Sequence, residues 1–474
     1  MDTTVIRKDP KMLPHLRRTW LAITLSLIGL SGLAAADVVT DWNEAALDAI
    51  RAEATSPLRA SRALAILHAA IYDAVTALEG THEPYFVTTS PPVGTSAEAA
   101  AAAAAHLVLD ALFPTQQDAF DAQLADSLAA IPDGEAKDDG IGLGEFVAGE
   151  ILAARSDDGA DVVVEYTPGA DPGDWQPTPP GFAPALLPQW PTLDPFAMTS
   201  GSQFRGDGPP ALDSAEYATA FNEVKDLGRF DSATRTQDQT EIARFWSNGS
   251  GTATPPGHWN TIAQSIAAAQ GNSVAENARL FALHNIAQAD AAIVSWDNKY
   301  AFDHWRPVTA IPAADTDGND ATEADAEWLP LLNTPPFPEY TSGHSTFSGS
   351  ASKVLELFYG NDDIAFSTSS DGLPGIVRNY TSFSQAADES GKSRIYGGIH
   401  WQYANEDGLS SGRALGAYVF NNYLAPIETG DGDGDHDDNV GPLAALCGAL
   451  GFGNFAAMML MLTGLRLLPR RRSA

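Results

Sequence analysis

Two basic residues in the second half of the chain stand where their side chains could share one face of a helix. In the segment WDNKYAFDHWRP, Lys299 and Arg306 are seven residues apart, which is about two helical turns. Pro307 restricts the residue before it, so the helix is predicted to end or kink there. Two cations on one face are unusual in so acidic a chain, and they suggest an anion site. On its own, the segment also fits a helix whose cations pair with neighbouring carboxylates such as Asp303.

A second segment, YTSGHSTFSG, places a serine, a glycine and a histidine at the predicted start of a helix. Ser342 or Ser345 can cap that helix, which is predicted to run toward Phe358. Gly343 allows the backbone to approach a ligand closely, and free N–H groups at a helix N-terminus attract anions. His344 would then lie at the mouth of the site. The alternative is an ordinary capped helix with an incidental histidine.

A third segment, SRIYGGIHWQYANEDG, carries another arginine and another histidine. In an unbroken helix, Arg394 and His400 would lie on different faces. The intervening Gly397 and Gly398 instead predict a turn, which allows both side chains to reach the same site. The alternative is a loop that only leads into the next helix.

Together, the three segments supply the groups that bind a tetrahedral oxyanion such as phosphate or vanadate. Arginine can hold such an anion through two parallel hydrogen bonds, and lysine binds it as a point charge. One histidine could act as a nucleophile or a metal ligand, and the other as a general acid or base. The candidate residues are Lys299, Arg306, Ser342, Gly343, His344, Arg394 and His400.

The order of these motifs resembles that of the vanadium-dependent haloperoxidases and the related type 2 phosphatidic acid phosphatases. The patterns K-x6-R-P, S-G-H and S-R-x5-H occur in that order, and the similarity extends over about residues 39–424. The resemblance implies an all-α fold with four-helix bundles around the site. It also implies vanadate as the cofactor, at a site that phosphate can occupy. One departure is Thr341, where proline usually precedes the Ser-Gly-His motif.

The resemblance further implies a role for each motif residue. His400 would be the covalent ligand of vanadate, or the phosphorylated nucleophile of a phosphatase, and His344 would be the acid or base. Lys299 would also take part in catalysis by polarising the peroxide. The oxygens of the anion would be held by Lys299, Arg306, Ser342, Gly343 and Arg394. A carboxylate outside the motifs is expected to pair with Arg394 or His344, and the candidate is Glu241.

Four neighbouring residues bear on the choice between a peroxidase and a phosphatase. Trp296 precedes Lys299 by three residues, and Pro335, Pro336 and Phe337 precede the Ser-Gly-His motif. In chloroperoxidase-type members of the family, residues of these types form an apolar halide pocket. Such a pocket suits a poorly hydrated halide and excludes water. The alternative is that these side chains only pack around a loop.

The sequence therefore favours an exported vanadate-dependent haloperoxidase, which would use hydrogen peroxide to oxidise halide to hypohalous acid. The first alternative is an acid phosphatase of the same superfamily, which would act on a small phosphoester with His400 as its nucleophile. The second is a surface-displayed binding protein with an inactive oxyanion site. A net charge of −34 argues against nucleic acid as a partner, because phosphate backbones are bound by basic patches.

Helical periodicity dominates the chain between its two ends, so the predicted fold is all-α, with helical bundles joined by Pro-rich loops. The helical regions are predicted at residues 41–78, 96–128 (two helices), 145–155, 214–227, 236–246, 259–269, 273–302, 345–358 and 408–424. Residues 166–210 contain many prolines and are predicted to form a long ordered connection. No convincing strand pattern occurs beyond short pieces such as DVVVEY.

Both ends of the chain carry predicted targeting segments. Residues 1–36 combine basic residues, an apolar run and an A-x-A pattern, as in a cleaved signal peptide. Residues 429–441 form an acidic Asp/Gly linker. Residues 442–474 are an apolar segment with a terminal Arg cluster, either a membrane anchor or a tag for sorting machinery. Residues 37–428 are thus the predicted catalytic domain, exported to the periplasm, cell surface or medium, with its motifs in about 214–425.

Overall fold

The structure is a computed structural model that describes residues 37–427. The predicted signal peptide, acidic linker and C-terminal segment lie outside the described residues, so export and anchoring stay predictions. Within residues 37–427, no single helix is both long and apolar enough to cross a membrane. The bent pair Ala97–Leu112 and Pro114–Ala129 meets the same limits of length and composition only when its two helices are taken together.

The described residues contain thirteen α-helices, three short 3-10 helices and one antiparallel pair of short strands, and the predicted all-α fold is confirmed. The helices are α1 Val38–Ala52, α2 Pro57–Glu79, α3 Ala97–Leu112, α4 Gln117–Ala129, α5 Glu135–Ala154, α6 Ala215–Leu227, α7 Gln237–Phe245, α8 Thr254–Gln270, α9 Val274–Phe302, α10 Pro307–Ala310, α11 Gly343–Tyr359, α12 Phe383–Tyr396 and α13 Gln402–Asn422. The strands are β1 Phe366–Ser369 and β2 Val377–Tyr380.

The longest helix, α9, carries two of the candidate site residues. It begins with a capping box, in which the side chains of Ser273 and Glu276 each accept a hydrogen bond from the other's backbone N–H. Nearly all of its side chains from Asn277 onward are buried, because α9 packs against α2, α11 and α13. A helix buried on all sides holds a fixed position in the core. Helix α9 therefore presents Trp296 and Lys299 near its C-terminal end on a rigid support.

Helices α11 and α13 pack closely through glycines, and this contact positions the Ser-Gly-His motif. Gly408, Gly412 and Gly416 repeat every four residues and so share one side of α13. A Cβ atom at Gly412 would lie 2.3 Å from the Thr346 carbonyl oxygen, and one at Gly408 would lie 2.8 Å from the Ser342 carbonyl oxygen. A side chain at these positions would therefore push the two helices apart.

Helix α5 begins at Glu135, ten residues before the predicted start at Glu145. Three glycines in the added part lower its helix propensity, and they obscured the pattern. Gly140 and Gly144 are buried against the alanine-rich α3, where a Cβ at Gly144 would lie only 2.2 Å from the Ala100 carbonyl oxygen. Close helix packing therefore outweighs the weak local propensity.

Three elements were not predicted, namely the short helix α10, helix α12 and the β1–β2 pair. Helix α12 is rich in polar residues, and its start is capped by Ser382, whose side chain accepts from the Gln385 N–H. The β1–β2 pair has only four residues in each strand, too few for a clear alternating pattern. Residues 162–164 of DVVVEY form no strand, and their side chains are exposed. The predicted helical region 41–78 is two helices, separated by a break between α1 and α2.

The Pro-rich connection, residues 166–210, contains no α-helix and buries three of its aromatic side chains in the protein. Both Trp175 and Trp190 are fully buried. Asp290 of α9 accepts hydrogen bonds from the backbone N–H groups of three consecutive residues in the connection, at 2.7 to 2.8 Å. These bonds fasten the connection to the helix that carries the site residues.

A pair of histidines is buried between α2 and α9. His68 stacks on Phe281, with the ring centroids 5.0 Å apart, and its Nε2 lies 3.1 Å from Asn43 Oδ1. His284 Nε2 lies 3.1 Å from the side-chain nitrogen of Gln288. Burial lowers the pKa of both rings to about 3, and for His68 the neighbouring His284 adds to the effect. Both rings are therefore neutral in the folded protein at neutral pH.

We expect Gly412→Ala to lower the free energy of unfolding by about 1–3 kcal/mol, because the new Cβ would overlap the backbone of α11. Gly142→Ala in α5 is the matched control, since a Cβ there meets no atom within 4 Å. Alanine is the better helix former by about 1 kcal/mol, so the control should be at least as stable as the wild type. Denaturant unfolding measures both variants. Equal effects would contradict the close packing of α11 against α13.

We expect the folded protein to lose stability through its buried histidines as the pH falls from about 6.5 toward 3. Unfolded histidine takes up a proton near pH 6.5, whereas the folded His68 ring resists protonation down to about pH 3. In His68→Gln this loss should be smaller by up to about 1.4 kcal/mol per pH unit, because glutamine cannot be protonated. Denaturant unfolding at pH 7 and pH 5 measures the difference. An unchanged pH dependence in His68→Gln would contradict the burial of a neutral ring at this position.

Candidate active site

One cavity of about 350 Å³ brings the three sequence motifs together. Its lining includes the motif residues Gly343, His344, Arg394 and His400. The lining also includes Trp296, Pro335, Pro336 and Phe337, the four residues predicted to form a halide pocket. The other three motif residues, Lys299, Arg306 and Ser342, are fully buried behind this lining. The structure thus gathers the motif residues and the predicted pocket residues in one place.

The N-terminus of α11 contributes to the cavity and is capped by Ser342. The Ser342 side chain accepts the Ser345 N–H at 3.4 Å, and the Ser345 hydroxyl oxygen lies 2.8 Å from both Ser342 Oγ and Asn405 Oδ1. The predicted cap is therefore present, and it is tied to α13 through Asn405. The first N–H groups of a helix have no partner within the helix. Those of Gly343 and His344 are in this position, on residues that line the cavity.

Lys299 lies in the last turn of α9, where the helix dipole favours a cation. Its ammonium group donates to the carbonyl oxygen of Glu339 at 2.9 Å and to that of Thr341. An ammonium group has three N–H donors, so one remains beyond these two bonds. Lys299 therefore fastens the segment before α11 and keeps one donor for a ligand.

Arg306 does not continue α9, so the expectation that both cations share a helix face is wrong. The helix ends at Phe302, and Asp303 has a left-handed φ of 48°. Arg306 is extended, as expected for a residue before proline, and it precedes α10. Its side chain donates to the carbonyl oxygens of Phe337 (2.9 Å) and Ile399 (2.7 Å), and to His400 Nε2 (3.0 Å). The two cations meet because the chain turns back at Asp303.

A buried glutamate that the sequence analysis did not single out contacts His400. Glu339 Oε1 lies 2.7 Å from His400 Nδ1 and accepts the Trp401 N–H at 2.9 Å. The other oxygen, Oε2, is buried and has no hydrogen-bond partner within residues 37–427. The available signal in the sequence was a single carboxylate in the segment PPFPEYTSGH, directly before the Ser-Gly-His motif.

The turn between Arg394 and His400 has the form that its two glycines predict. Helix α12 ends two residues after Arg394, and Gly398 has a left-handed φ of 75°. A Cβ at Gly398 would lie 2.4 Å from the Gly228 carbonyl oxygen, so the position requires glycine for space as well as conformation. The turn allows both side chains to line the cavity.

Arg394 and His344 each have a buried nitrogen without a partner in the described part of the chain. Arg394 Nη1 donates to the Trp246 carbonyl oxygen at 3.3 Å, whereas its Nε has no acceptor. His344 Nε2 is also unpaired. An unsatisfied buried polar atom costs about 1–3 kcal/mol, so both nitrogens favour a bound ligand.

The three site cations are crowded together, and this affects their protonation. Burial lowers the pKa of Arg306 to about 10. Burial and the nearby Arg306 lower the pKa of Arg394 to about 9, and the same two causes lower that of Lys299 well below its usual range. A bound anion would offset the repulsion and favour the protonated form of all three groups.

The same surroundings shift the pKa values of His344, His400 and Glu339. Burial, and then repulsion from nearby cations, lowers the pKa of His344 and of His400 well below the usual histidine value. Both imidazole rings are therefore neutral at neutral pH. Burial raises the pKa of Glu339 to about 7, against the opposing effect of Arg306.

Glu241 does not make the contact predicted for it. Its carboxylate lies 3.3 Å from Arg378 Nη1, and within residues 37–427 it has no hydrogen bond to Arg394 or His344. Glu241 is half-buried on α7, whereas neighbours such as Phe245 face the core. The helix face on which it lies therefore directs it away from the cavity.

Trp296 and Phe337 form an aromatic wall beside the cations, with their ring centroids 4.7 Å apart. The Phe337 ring centroid lies 5.1 Å from Lys299 Nζ and 4.8 Å from Arg306 Cζ, within the range of cation–π attraction. The indole N–H of Trp296 donates to the Leu186 carbonyl oxygen at 3.0 Å. The wall therefore offers the cavity an apolar surface, with positive charge directly behind it.

Leu186, from the Pro-rich connection, holds this wall in position. Its carbonyl oxygen also accepts the Tyr300 hydroxyl at 2.7 Å, and its N–H donates to the Pro336 carbonyl oxygen at 2.9 Å. The connection thus supports the aromatic wall from outside the three motifs.

The set of groups around the cavity fits a tetrahedral oxyanion. Within the described residues, no group of three or more His, Cys, Asp or Glu side chains could hold a metal cation. The cavity instead has three basic side chains, a helix N-terminus and two neutral imidazoles, with Glu339 as the carboxylate in contact with them. The unpaired nitrogens of Arg394 and His344 are suited to the oxygens of such an anion. The residues present therefore fit vanadate, which is itself an oxyanion.

Comparisons with known proteins lead to the same group of enzymes. Residues 279–429 match the family model of the VCPO second helical-bundle domain. The chain is 28% identical to a vanadium chloroperoxidase from Curvularia inaequalis, over 76% of this chain and 78% of that protein. A bacterial vanadium-dependent iodoperoxidase of known structure is 32% identical, with a TM-score of 0.72, over 83% of this chain and 97% of its own. The chain belongs to the vanadium-dependent haloperoxidase family.

A bacterial vanadium-dependent chloroperoxidase of known structure shares the fold of this chain, with a TM-score of 0.61 at 19% identity. That match covers 76% of this chain and 92% of the other. The protein is thus an enzyme of the haloperoxidase and phosphatase superfamily, and its function is of the haloperoxidase type. Membership of the family implies vanadate as the cofactor.

We expect orthovanadate to raise the unfolding temperature of the protein, because a bound anion relieves the repulsion among the three cations. A ligand present at 100 times its Kd adds about 2.7 kcal/mol to stability. Arg394→Gln should lose most of this gain, whereas Arg413→Gln, which alters an arginine paired with Asp388 outside the site, should keep it. Thermal unfolding with and without orthovanadate measures the effect. Equal gains in both variants would contradict this assignment of the anion site.

Proposed function

We propose that this protein is a vanadate-dependent haloperoxidase that uses hydrogen peroxide to oxidise halide to hypohalous acid. The observation that carries the proposal is the aromatic wall of Trp296 and Phe337, which lies against Lys299 and Arg306 at the oxyanion cavity. Ester hydrolysis would need the basic residues but not this wall. The net reaction converts hydrogen peroxide, halide and one proton into hypohalous acid and water, with two electrons passing from halide to peroxide.

The motif residues would share the binding of the cofactor. His400 would be its ligand through Nε2, and the oxygens would be held by Lys299, Arg306, Ser342, Gly343 and Arg394. Vanadate, when bound, supplies the Lewis-acidic centre that activates hydrogen peroxide without a change in oxidation state. The protein contributes fixed donors on largely buried side chains, where hydrogen bonds to a charged oxygen are strong.

His344 would move the protons of the reaction. It lines the cavity, its Nε2 is unpaired within the described residues, and its lowered pKa keeps the ring neutral. A neutral imidazole can accept a proton from hydrogen peroxide and return it to the departing oxygen. Lys299 would polarise the peroxide through its remaining N–H donor.

The aromatic wall would receive the halide. Phe337 and the two prolines before it present an apolar surface, which favours a weakly hydrated anion over water. Lys299 and Arg306 lie directly behind the Phe337 ring, and their charge would attract the halide to that surface. The pocket would thus combine an apolar contact with a positive potential.

We expect the full-length protein to halogenate monochlorodimedone in the presence of vanadate, hydrogen peroxide and halide, and to lose this activity without vanadate. His400→Ala should lower the rate by more than about 100-fold, since even an outer partner of a metal ligand contributes about 10–100-fold. His106→Ala, which alters a histidine paired with Asp121 outside the cavity lining, is the matched control and should keep the rate.

Hydrolysis of p-nitrophenyl phosphate, measured on the same protein, tests the competing reaction. A phosphatase that uses His400 as its nucleophile would hydrolyse this ester, would be inhibited by vanadate and would not halogenate. That result, or full halogenation by His400→Ala, would overturn the proposal. An absence of both activities and of anion binding would favour the inactive binding protein.

A further inference from the structure

Glu339 is joined to the site through both its backbone and its side chain. Its carbonyl oxygen accepts a hydrogen bond from Lys299 Nζ at 2.9 Å, and its N–H donates to the His304 carbonyl oxygen at 2.8 Å. Its side chain is fully buried, with Oε1 2.7 Å from His400 Nδ1 and 2.9 Å from the Trp401 nitrogen. Hydrogen bonds therefore hold the carbonyl group, the N–H group and the side chain of Glu339.

The contacts of His400 require one particular tautomer of its ring. Arg306 Nη1, 3.0 Å from Nε2, can only donate a hydrogen bond, so Nε2 must accept. A neutral imidazole that accepts at Nε2 carries its proton on Nδ1. That proton is then donated to Glu339 Oε1, which also accepts the Trp401 N–H. If the Glu339 carboxyl group carries a proton, that proton must be on Oε2, because Oε1 accepts both hydrogen bonds.

We propose that Glu339 is a positioning residue that holds His400 with its proton on Nδ1, so that Nε2 keeps a lone pair, which accepts from Arg306 here and would bind the cofactor in its place. This inference rests on the proposed function, in which His400 is the vanadate ligand. A ligating histidine whose other nitrogen is bonded to a carboxylate is fixed in orientation and made more basic. Glu339 acts through His400 and has no assigned contact with the substrate.

Glu339 also limits the positive charge of the site. Lys299, Arg306 and Arg394 bring three positive charges when all are protonated, and the Glu339 carboxylate removes one when it is ionised. The remaining excess still favours an oxyanion. Removal of the carboxylate would leave His400 beside a stronger cationic field and with no acceptor for Nδ1.

The tautomer can be measured by nitrogen NMR of the full-length protein labelled with ¹⁵N-histidine. We expect the wild type, without vanadate, to show a His400 ring protonated at Nδ1, with the signal assigned by its loss in His400→Ala. Glu339→Gln should keep this tautomer, since its amide oxygen can still accept. Glu339→Ala should shift the ring toward a mixture of tautomers, because Nδ1–H loses its acceptor and only the Arg306 hydrogen bond to Nε2 still favours that tautomer. An unchanged ring in Glu339→Ala would overturn the proposal, and this readout requires no enzyme activity.

Calorimetric binding of orthovanadate provides the second measurement. Glu339→Ala should weaken binding by about 10–100-fold, and Glu339→Gln should recover part of the loss. Asp407→Ala is the matched control, because that carboxylate bonds to Tyr340 rather than to His400 and should leave affinity within about 2-fold. Thermal unfolding of each variant separates lost folding from lost binding.

Binding of orthovanadate to the two alanine variants distinguishes a wrong role for His400 from a wrong role for Glu339. If His400→Ala binds orthovanadate as tightly as the wild type, the proposed role of His400 is wrong. If His400→Ala loses binding but Glu339→Ala does not, His400 keeps its role and the inference about Glu339 is wrong.

Discussion

The burial of two cations, Lys299 and Arg306, is the constraint on which the site depends. An isolated buried charge costs several kcal/mol, so each needs close hydrogen-bond partners. Most of these partners are backbone carbonyl groups, in the segment from Phe337 to Thr341 and at Ile399. That segment must therefore run past the two cations before α11 begins. The same path brings the Phe337 ring, the Glu339 carboxylate and the Ser342 cap to one cavity.

This path places the site residues accurately only because the helices around it are held rigidly. Helix α9 is buried along most of its length and fixes Lys299, while glycines allow α13 to approach α11 closely enough to fix Ser342. Both contacts leave little space for rearrangement. A preorganised set of donors avoids the cost of reorienting dipoles during a reaction, which is a main source of electrostatic catalysis. The tight packing far from the cavity therefore supports the chemistry within it.

Local patterns predicted much of the fold and which motif residues meet at the cavity, but not the partners that support them. Ser342 could be predicted as a cap and Gly398 as a turn, because both depend on neighbours in sequence. Glu339 and His400 are 61 residues apart, and nothing local indicates that they pair. Glu241 was assigned wrongly for the same reason, since its helix face is set by tertiary packing. The error at Arg306 has a different cause, because the helical period was extended beyond Phe302, where α9 ends.

The three cations fall into two groups, which differ in how many of their N–H donors are satisfied by the protein itself. This difference explains how one site can be rigid and still gain contacts when an anion binds. Lys299 and Arg306 donate most of their hydrogen bonds to the protein's own carbonyl groups, so they define the shape of the cavity whether or not an anion is bound. Arg394 makes one long bond to Trp246, and its Nε is unpaired within the described residues, as is Nε2 of His344. These two side chains have the most to gain from a ligand, because an anion would satisfy atoms that the fold leaves without partners. The fold thus fixes one side of the oxyanion site in advance and leaves the other side, with the proposed acid or base, to be completed by binding.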